Sequence, residues 1–318
     1  MSAHGFTSAF AADLDAYLEF KERMGFYGTS RIRYLKRFDA YCNTGHRTVF
    51  DRDTVEGWVI AQLAASGCYR SWMSYIRDFG RWLRAHGSAD AYVLSGQWKV
   101  PVVAAHPYLL STQEIERFFV AAAHLKTDSP WRWQAVAFFT LMCCCGLRSG
   151  ETRALAAEHV HLRDGHIDIL CSKGNRSRRL PLTADVIEVL AVCGEASIEH
   201  FGASRRTFFV SAAASQVTAA SVGKTFNRIW DQAGLARPAG GRQPRPYDFR
   251  HHFAYANVER WMANGVDVTA MLPYLARYMG HATIDSSYYY IHTSPDFMDA
   301  YAEIADNAQC VLPEVGFE

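Results

Sequence analysis

The sequence predicts a mainly α-helical chain of two domains, with one small antiparallel sheet in the second. Three observations carry that reading. Apolar residues recur at helical spacing through most of residues 6–87 and again beyond residue 111. Between them, residues 94–106 hold proline and several valines without a helical period, as a linker does. A single segment, residues 166–182, alternates as a hairpin. A length of 318 residues also suits two domains, since domains of roughly 100–200 residues are usual. The boundaries expected are 1–93, a linker at 94–106, and 107–318.

Composition narrows the class. Hydrophobic residues at 49% and charged residues at 20% describe a globular chain with ordinary cores and exclude disorder and fibres. The longest apolar run, Ala135 to Cys145 with Thr140 inside it, falls short of the roughly 18 residues of a membrane span. The start, Met-Ser-Ala-His-Gly-Phe, lacks a basic region followed by an apolar core, so no signal peptide is read and a cytoplasmic protein is expected. The eight cysteines show no CxxC or Cys/His finger spacing, and Cys143, Cys144 and Cys145 are consecutive in an apolar run. Buried, reduced thiols are therefore expected, without metal or disulfides. The net charge of +1 counts against a nucleic-acid binder at first sight, but it is compatible with a locally basic groove.

Four helices are read in residues 6–87. Phe10, Leu14, Tyr17 and Leu18 mark the first; Leu35, Phe38 and Cys42 mark the second, after Gly28-Thr29-Ser30. Asp53 with Glu56 resembles a capping box before Val55, Trp58, Val59 and Leu63. The fourth carries Trp72, Ile76, Phe79 and Leu83, with Arg70, Arg77, Arg81 and Arg84 on its other sides. Those arginines form either a solvated face or a phosphate-contacting one.

The second domain opens with the capping box Ser111-Thr-Gln-Glu114, whose helix is expected to end near Lys126. Trp131 to Cys145 is apolar on nearly all sides, as a central buried helix should be, and Gly146 stops it. Arg148 follows at once. A cation at the end of a buried helix needs partners, and Glu151 is in reach; an ion pair and an anion site both fit. His166 to Leu170 reads as a strand after the Asp164-Gly165 turn, and leads into a hairpin with a basic tip: Lys173, Arg176, Arg178 and Arg179. That tip is either a solvated turn or one that leans over a groove.

Helices are then expected at 184–193 and 222–234, with a short strand at 207–211. The loop 240–246, carrying Arg242 and Arg245, delivers Tyr247-Asp248-Phe249-Arg250-His251-His252, where Tyr247 and Arg250 share a face of a helix start. A further helix, a short one at 268–278 and a final one with Phe297, Tyr301 and Ile304 complete the chain. Before that last helix stands Gly280-His281, followed by Tyr288-Tyr289-Tyr290-Ile291-His292. Three adjacent tyrosines on a helix point about 100° apart, so at most one or two can be buried.

Taken together, Gly146-Leu147-Arg148-x-x-Glu151, Lys173-Gly174-Asn175, Tyr247-x-x-Arg250, Gly280-His281 and Tyr290 resemble the tyrosine recombinase (phage integrase) family over the whole chain. The resemblance implies a SAM-like four-helix core-binding domain joined to an α+β catalytic domain that ends in an oligomerisation helix. It implies double-stranded DNA as the partner and a tetramer on two DNA sites, with a monomer off DNA left open and accessory proteins allowed; no membrane is involved. Arg148 and Arg250 correspond to the arginine pair on the scissile phosphate, Lys173 to the hairpin lysine, His281 to the histidine after glycine, and Tyr290 to the nucleophile nine residues on. Tyr247 departs from the pattern, which has histidine there. A phenol with a pKa near 10 donates a hydrogen bond but accepts a proton poorly.

The implied chemistry is physically coherent. Fixed guanidinium forks neutralise a phosphodiester that would otherwise repel a nucleophile. Tyr290 attacks phosphorus, Lys173 protonates the departing 5′ oxygen, and the 3′-phosphotyrosyl bond stores the energy for resealing without ATP. No carboxylate metal cluster or phosphate-cradling glycine loop is legible, so no cofactor and no metal are expected. Arg70, Arg77 and Arg81 on one side, and Arg176, Arg178, Arg179, Arg242 and Arg245 on the other, are the DNA contacts expected. Two alternatives use the same fold: a non-catalytic DNA-binding accessory protein and a type IB-like topoisomerase. Integration, excision, transposition and resolution are all open.

Overall fold

The computed structural model describes residues 2–26, 28–66, 72–98, 107–172, 176–240 and 242–281, with backbone alone at 66, 171, 172 and 176. Two compact units divide the chain, Met1–Ala104 and Ala105–Glu318. None of the described helices is long and apolar enough to cross a membrane.

The first unit holds α1 (Ala11–Arg23), α2 (Thr29–Thr44), α3 (Arg52–Ser66) and α4 (Met73–Ala85). Their apolar stripes meet in an aromatic core, where the Phe38 and Trp58 rings stand edge to face at 5.5 Å. Buried Asp39 accepts hydrogen bonds from the Thr7 and Ser8 amides, both at 2.9 Å, which ties the N-terminal segment to α2. The cap of α3 is Asp51, not Asp53: its carboxylate accepts from the Thr54 amide at 2.8 Å. Glu56 turns away to accept from the Tyr92 hydroxyl and the Trp98 indole. Leu94 is buried in this unit's core and Arg77 donates to the Leu94 and Ser95 carbonyls. Residues 94–98 therefore pack as part of the first unit, which moves the expected start of the linker later along the chain.

The second unit contains α5 (Thr112–Ala123), α6 (Trp131–Cys144), α7 (Ser149–Ala154), strands β1 (Val160–His161), β2 (His166–Ser172) and β3 (Arg176–Pro181), then α8 (Ala184–Phe201), α9 (Ala219–Gln232), α10 (Asp248–Ala263) and α11 (Val268–Met279). The Ser111–Glu114 capping box forms as read. Helix α6 packs against α5, α8 and α10, so it is covered on most sides, as its composition requires. Of the cysteine triplet at its C-terminal end, Cys143 and Cys145 are buried but Cys144 is exposed, contrary to expectation.

The three strands form one antiparallel sheet in the order β1-β2-β3. Alternation buries Ile167 and Ile169 on the inner face and leaves His166 and Asp168 on the outer. Two expectations need correcting. Helix α8 continues past Cys193 to Phe201, because Gly194 is not a stop: it faces the Phe208 ring, about where a Cβ would make ordinary contact at 3.7 Å. Residues 207–211 form isolated bridges in place of a strand. The buried Gln134 side chain takes the Val210 backbone, accepting from its amide at 2.8 Å and donating to its carbonyl at 3.0 Å.

Candidate active site

Helix α6 ends at a left-handed Gly146, φ +62°. A side chain there would overlap the Phe253 ring, since a Cβ would lie 2.5 Å from it. That turn drops Leu147 into the core and brings Arg148 out in extended conformation at the head of α7. The Arg148 amide donates to Glu151 Oε2 at 3.0 Å and Nη1 to Oε1 at 2.6 Å. The pairing read between these two residues is therefore present, with Glu151 buried.

The far wall is the C-terminal end of α11. The last carbonyls of a helix have no intrahelical partner and carry the negative end of its dipole. Here three consecutive ones are each met by an arginine. Arg178 Nε donates to the Tyr278 carbonyl at 2.7 Å, Arg250 Nη2 to that of Met279 at 2.8 Å, and Arg148 Nη2 to that of Gly280 at 2.8 Å. Arg250 is fully buried and also donates through Nη1 to the Gly146 carbonyl, joining the ends of α6 and α11. Gly280 is left-handed, φ +67°, and a Cβ on it would lie 2.9 Å from Arg178 Nη1. The chain can turn there only as glycine without displacing that arginine.

The turn sets His281, buried, with its amide donating to the Ala276 carbonyl at 2.9 Å. Burial, then the charges of Arg250, Arg148 and Arg178, push its pKa down to about 4. Burial with Arg242, Arg250 and His281 does the same to His251, also to about 4. Glu151 is held at about 2: burial works to raise it, but Arg178 and then Arg148 more than offset this. Asp248 moves the other way. Fully buried, it is pushed up to about 7 by desolvation, against the pull of Arg242. Three guanidinium groups around one carboxylate and a neutral imidazole leave excess positive charge, which suits an anion such as a phosphate diester.

Tyr247 stands at the entrance of α10, partly exposed, its ring edge-on to His251 at 4.9 Å. The structure thus brings together Arg148, Glu151, Arg250 and His281, with Tyr247 beside His251. Lys173 and Tyr290 lie outside the described residues, as do Arg70, the final helix and the Arg176 side chain. Two expected DNA contacts are turned inward. Arg77 is committed to the Leu94 and Ser95 carbonyls. Arg178 is buried on Glu151 and α11 because it shares the inner face of β3 with Leu180. Arg179 faces outward against Asp168, Arg81 and Arg245 are exposed, and Arg242 is half-buried near Asp248 and His251.

A sequence model described as the phage integrase family matches residues 109–296, more than half of the chain. The chain belongs to that family. This phage integrase family member is a tyrosine-type site-specific recombinase, hence an enzyme. Among its relatives, y4rB of Sinorhizobium fredii, provisionally named as an integrase/recombinase, is 26% identical over 302 residues, covering 92% of this chain and 95% of the relative. Tyrosine recombinase XerD of Rhizobium meliloti is 26% identical over 227 residues, 69% of this chain and 68% of XerD. The fold is similar to that of the XerH site-specific recombinase bound to its difH substrate: TM-score 0.61 at 20% identity, covering 94% of this chain and 85% of that one. Arg178 was expected on the DNA surface and its place in this cluster was not read, and His251 was not named as a site residue. Strand parity with Leu180 was the available signal for the first; the second had only its place beside Arg250.

Proposed function

We propose that this recombinase cuts and rejoins double-stranded DNA through a 3′-phosphotyrosyl intermediate, with Arg148, Arg250 and His281 holding the scissile phosphate. The observation that carries this is the convergence of those three side chains at the end of α11, nine residues before Tyr290. Guanidinium forks supply fixed positive charge, and each preorganised donor to the developing oxyanion is worth roughly 100- to 1000-fold in rate. His281 is neutral at pH 7 in this surrounding, so it serves as a hydrogen-bond donor in one tautomer rather than as a third cation. Tyr247 contributes its hydroxyl as a donor, over a buried His251. Tyr290 is the nucleophile, and Lys173 is the acid that protonates the 5′ oxygen.

DNA is held by exposed arginines, of which Arg81, Arg179 and Arg245 are the candidates the geometry supports. XerH and a lambda integrase dimer have each been seen on DNA sites. In line with them, this reading has the chain act as a multimer on DNA, a tetramer on two sites during exchange, with its place of action in the cytoplasm.

The test is covalent capture. The complete chain is mixed with nicked duplexes drawn from the DNA flanking its gene, and protein-linked DNA is resolved on a denaturing gel. Adduct is expected from the unaltered chain, Tyr288→Phe and Tyr289→Phe, and none from Tyr290→Phe. An adduct that survives Tyr290→Phe, or that vanishes with Tyr288→Phe alone, overturns the assignment.

A further inference from the structure

On the outer face of the sheet, away from Ile167 and Ile169, three metal-ligating side chains meet. His161 and His166 are direct cross-strand partners in the β1–β2 ladder, and their rings lie 4.7 Å apart between centroids. Asp168 is two residues beyond His166 and therefore on the same face. One donor atom from each of the three lies within 4.8 Å of the others. His161 Nε2 is already 3.5 Å from Asp168 Oδ2. A tetrahedral ion with bonds of about 2.0 Å sets its ligand atoms roughly 3.3 Å apart, so small ring rotations suffice to close the set.

The donor chemistry selects the ion. Two imidazoles and one carboxylate suit zinc, cobalt or nickel; magnesium and calcium prefer oxygen alone. One group competes: Arg179 holds both Asp168 oxygens, Nε to Oδ1 at 2.8 Å and Nη2 to Oδ2 at 2.9 Å. The Arg179 side chain is 65% exposed, so releasing it costs little burial. His161, His166 and Asp168 are all half-exposed, which gives an ion an aqueous approach.

We propose that His161, His166 and Asp168 bind one divalent transition-metal ion of the zinc, cobalt and nickel class, and that the ion takes Asp168 from Arg179. The ion has no part in the strand exchange itself. Its effect is to staple β1 to β2 and to release the Arg179 guanidinium on the strand that follows the hairpin tip.

Cobalt(II) titrated into the complete, reduced, untagged chain tests this. Visible d–d absorption should saturate at one ion per chain without a thiolate charge-transfer band. His161→Gln and His166→Gln should each weaken binding by no less than the roughly 10- to 100-fold typical of losing an outer-shell partner. Arg179→Gln should tighten binding, because it removes the competitor; a misfolded variant would not do so. Affinity unchanged from that of the unaltered chain in either histidine variant, or a thiolate band from the same ion, overturns the site. An unchanged affinity in Arg179→Gln overturns the displacement.

Discussion

Arg178 Nη2 lies 2.8 Å from Glu151 Oε2, and Nη1 lies 3.2 Å from Oε1. This pair, side chains 9% and 5% exposed, links the sheet to α7 in the same place where Arg148 meets the same carboxylate. One buried anion therefore aligns two arginines, and each of those arginines grips a carbonyl at the end of α11. The histidine that follows is positioned through this chain of contacts.

Removing that anion should be costly. Glu151→Ala leaves Arg148 and Arg178 facing each other with little solvent, and breaking a buried pair on one side typically costs about 3–5 kcal/mol. Urea unfolding of the second unit's signal should register a loss of that size. Glu151→Gln, which keeps the hydrogen-bond acceptor, should lose less. A change under about 0.5 kcal/mol in both variants would show the network to be unimportant.

Arg178→Lys separates positioning from DNA contact. Lysine keeps the charge but loses the fork and the Nε bond to the Tyr278 carbonyl. A misplacement of His281 of about 1 Å should slow adduct formation on the order of 100-fold. Meanwhile the salt dependence of DNA binding should stay as in the unaltered chain. Arg178→Ala should likewise leave the salt slope alone, whereas losing a true phosphate contact lowers that slope by about 1. A lowered slope in Arg178→Ala would return Arg178 to the DNA surface.

Acid should destabilise the second unit over a defined window. His251 and His281 sit at about 4 in the folded chain against an ordinary 6.5. Their neutral burial therefore contributes stability that is complete above pH 6.5 and is lost as pH falls through 4. Asp248, raised to about 7 from 3.8, acts with opposite sign: its contribution is complete below 3.8 and is lost as pH rises through 7. Asp248→Asn removes the opposing slope, so the stability loss between pH 6.5 and 4 should steepen and the variant should gain stability at pH 8. Denaturant midpoints at pH 8, 6 and 4.5 decide this.

Gly146→Ala should be harmful in spite of its size. A left-handed alanine costs roughly 1–2 kcal/mol, and overlap with the Phe253 ring typically adds about 1–3 kcal/mol. The double variant with Phe253→Leu should recover the second part only. If Gly146→Ala melts with the unaltered chain, the turn is not as constrained as its φ of +62° implies.

Much of the fold was legible in the residues. Periodicity placed the four helices of the first unit, a capping box placed α5 and an all-apolar run placed α6, whereas α7, six residues long, lacks room for a period. The capping box at Ser111 was legible because both partners sit within one turn. Asp53 was mistaken for a cap because two acids, 51 and 53, flank the helix start, and the choice fell to Glu56, which was drawn off by Tyr92 and Trp98 from a distant segment. The strand read at 207–211 failed for a similar reason: a buried Gln134 from α6 took the backbone bonds a neighbouring strand would have used.

By itself the sequence determined the helical periods, the glycine stop at 146, and the order of arginine, histidine and tyrosine along the chain. These are local properties, decided by side chains within a turn or two of each other. Only the tertiary structure decided which arginines face in. Arg178 and Arg179 are neighbours of identical chemistry, but the pleat sends one to Glu151 and the other to Asp168. Their roles diverge because a buried guanidinium must find carbonyls and a carboxylate to replace water, and those partners come from helices more than twenty residues away in the chain.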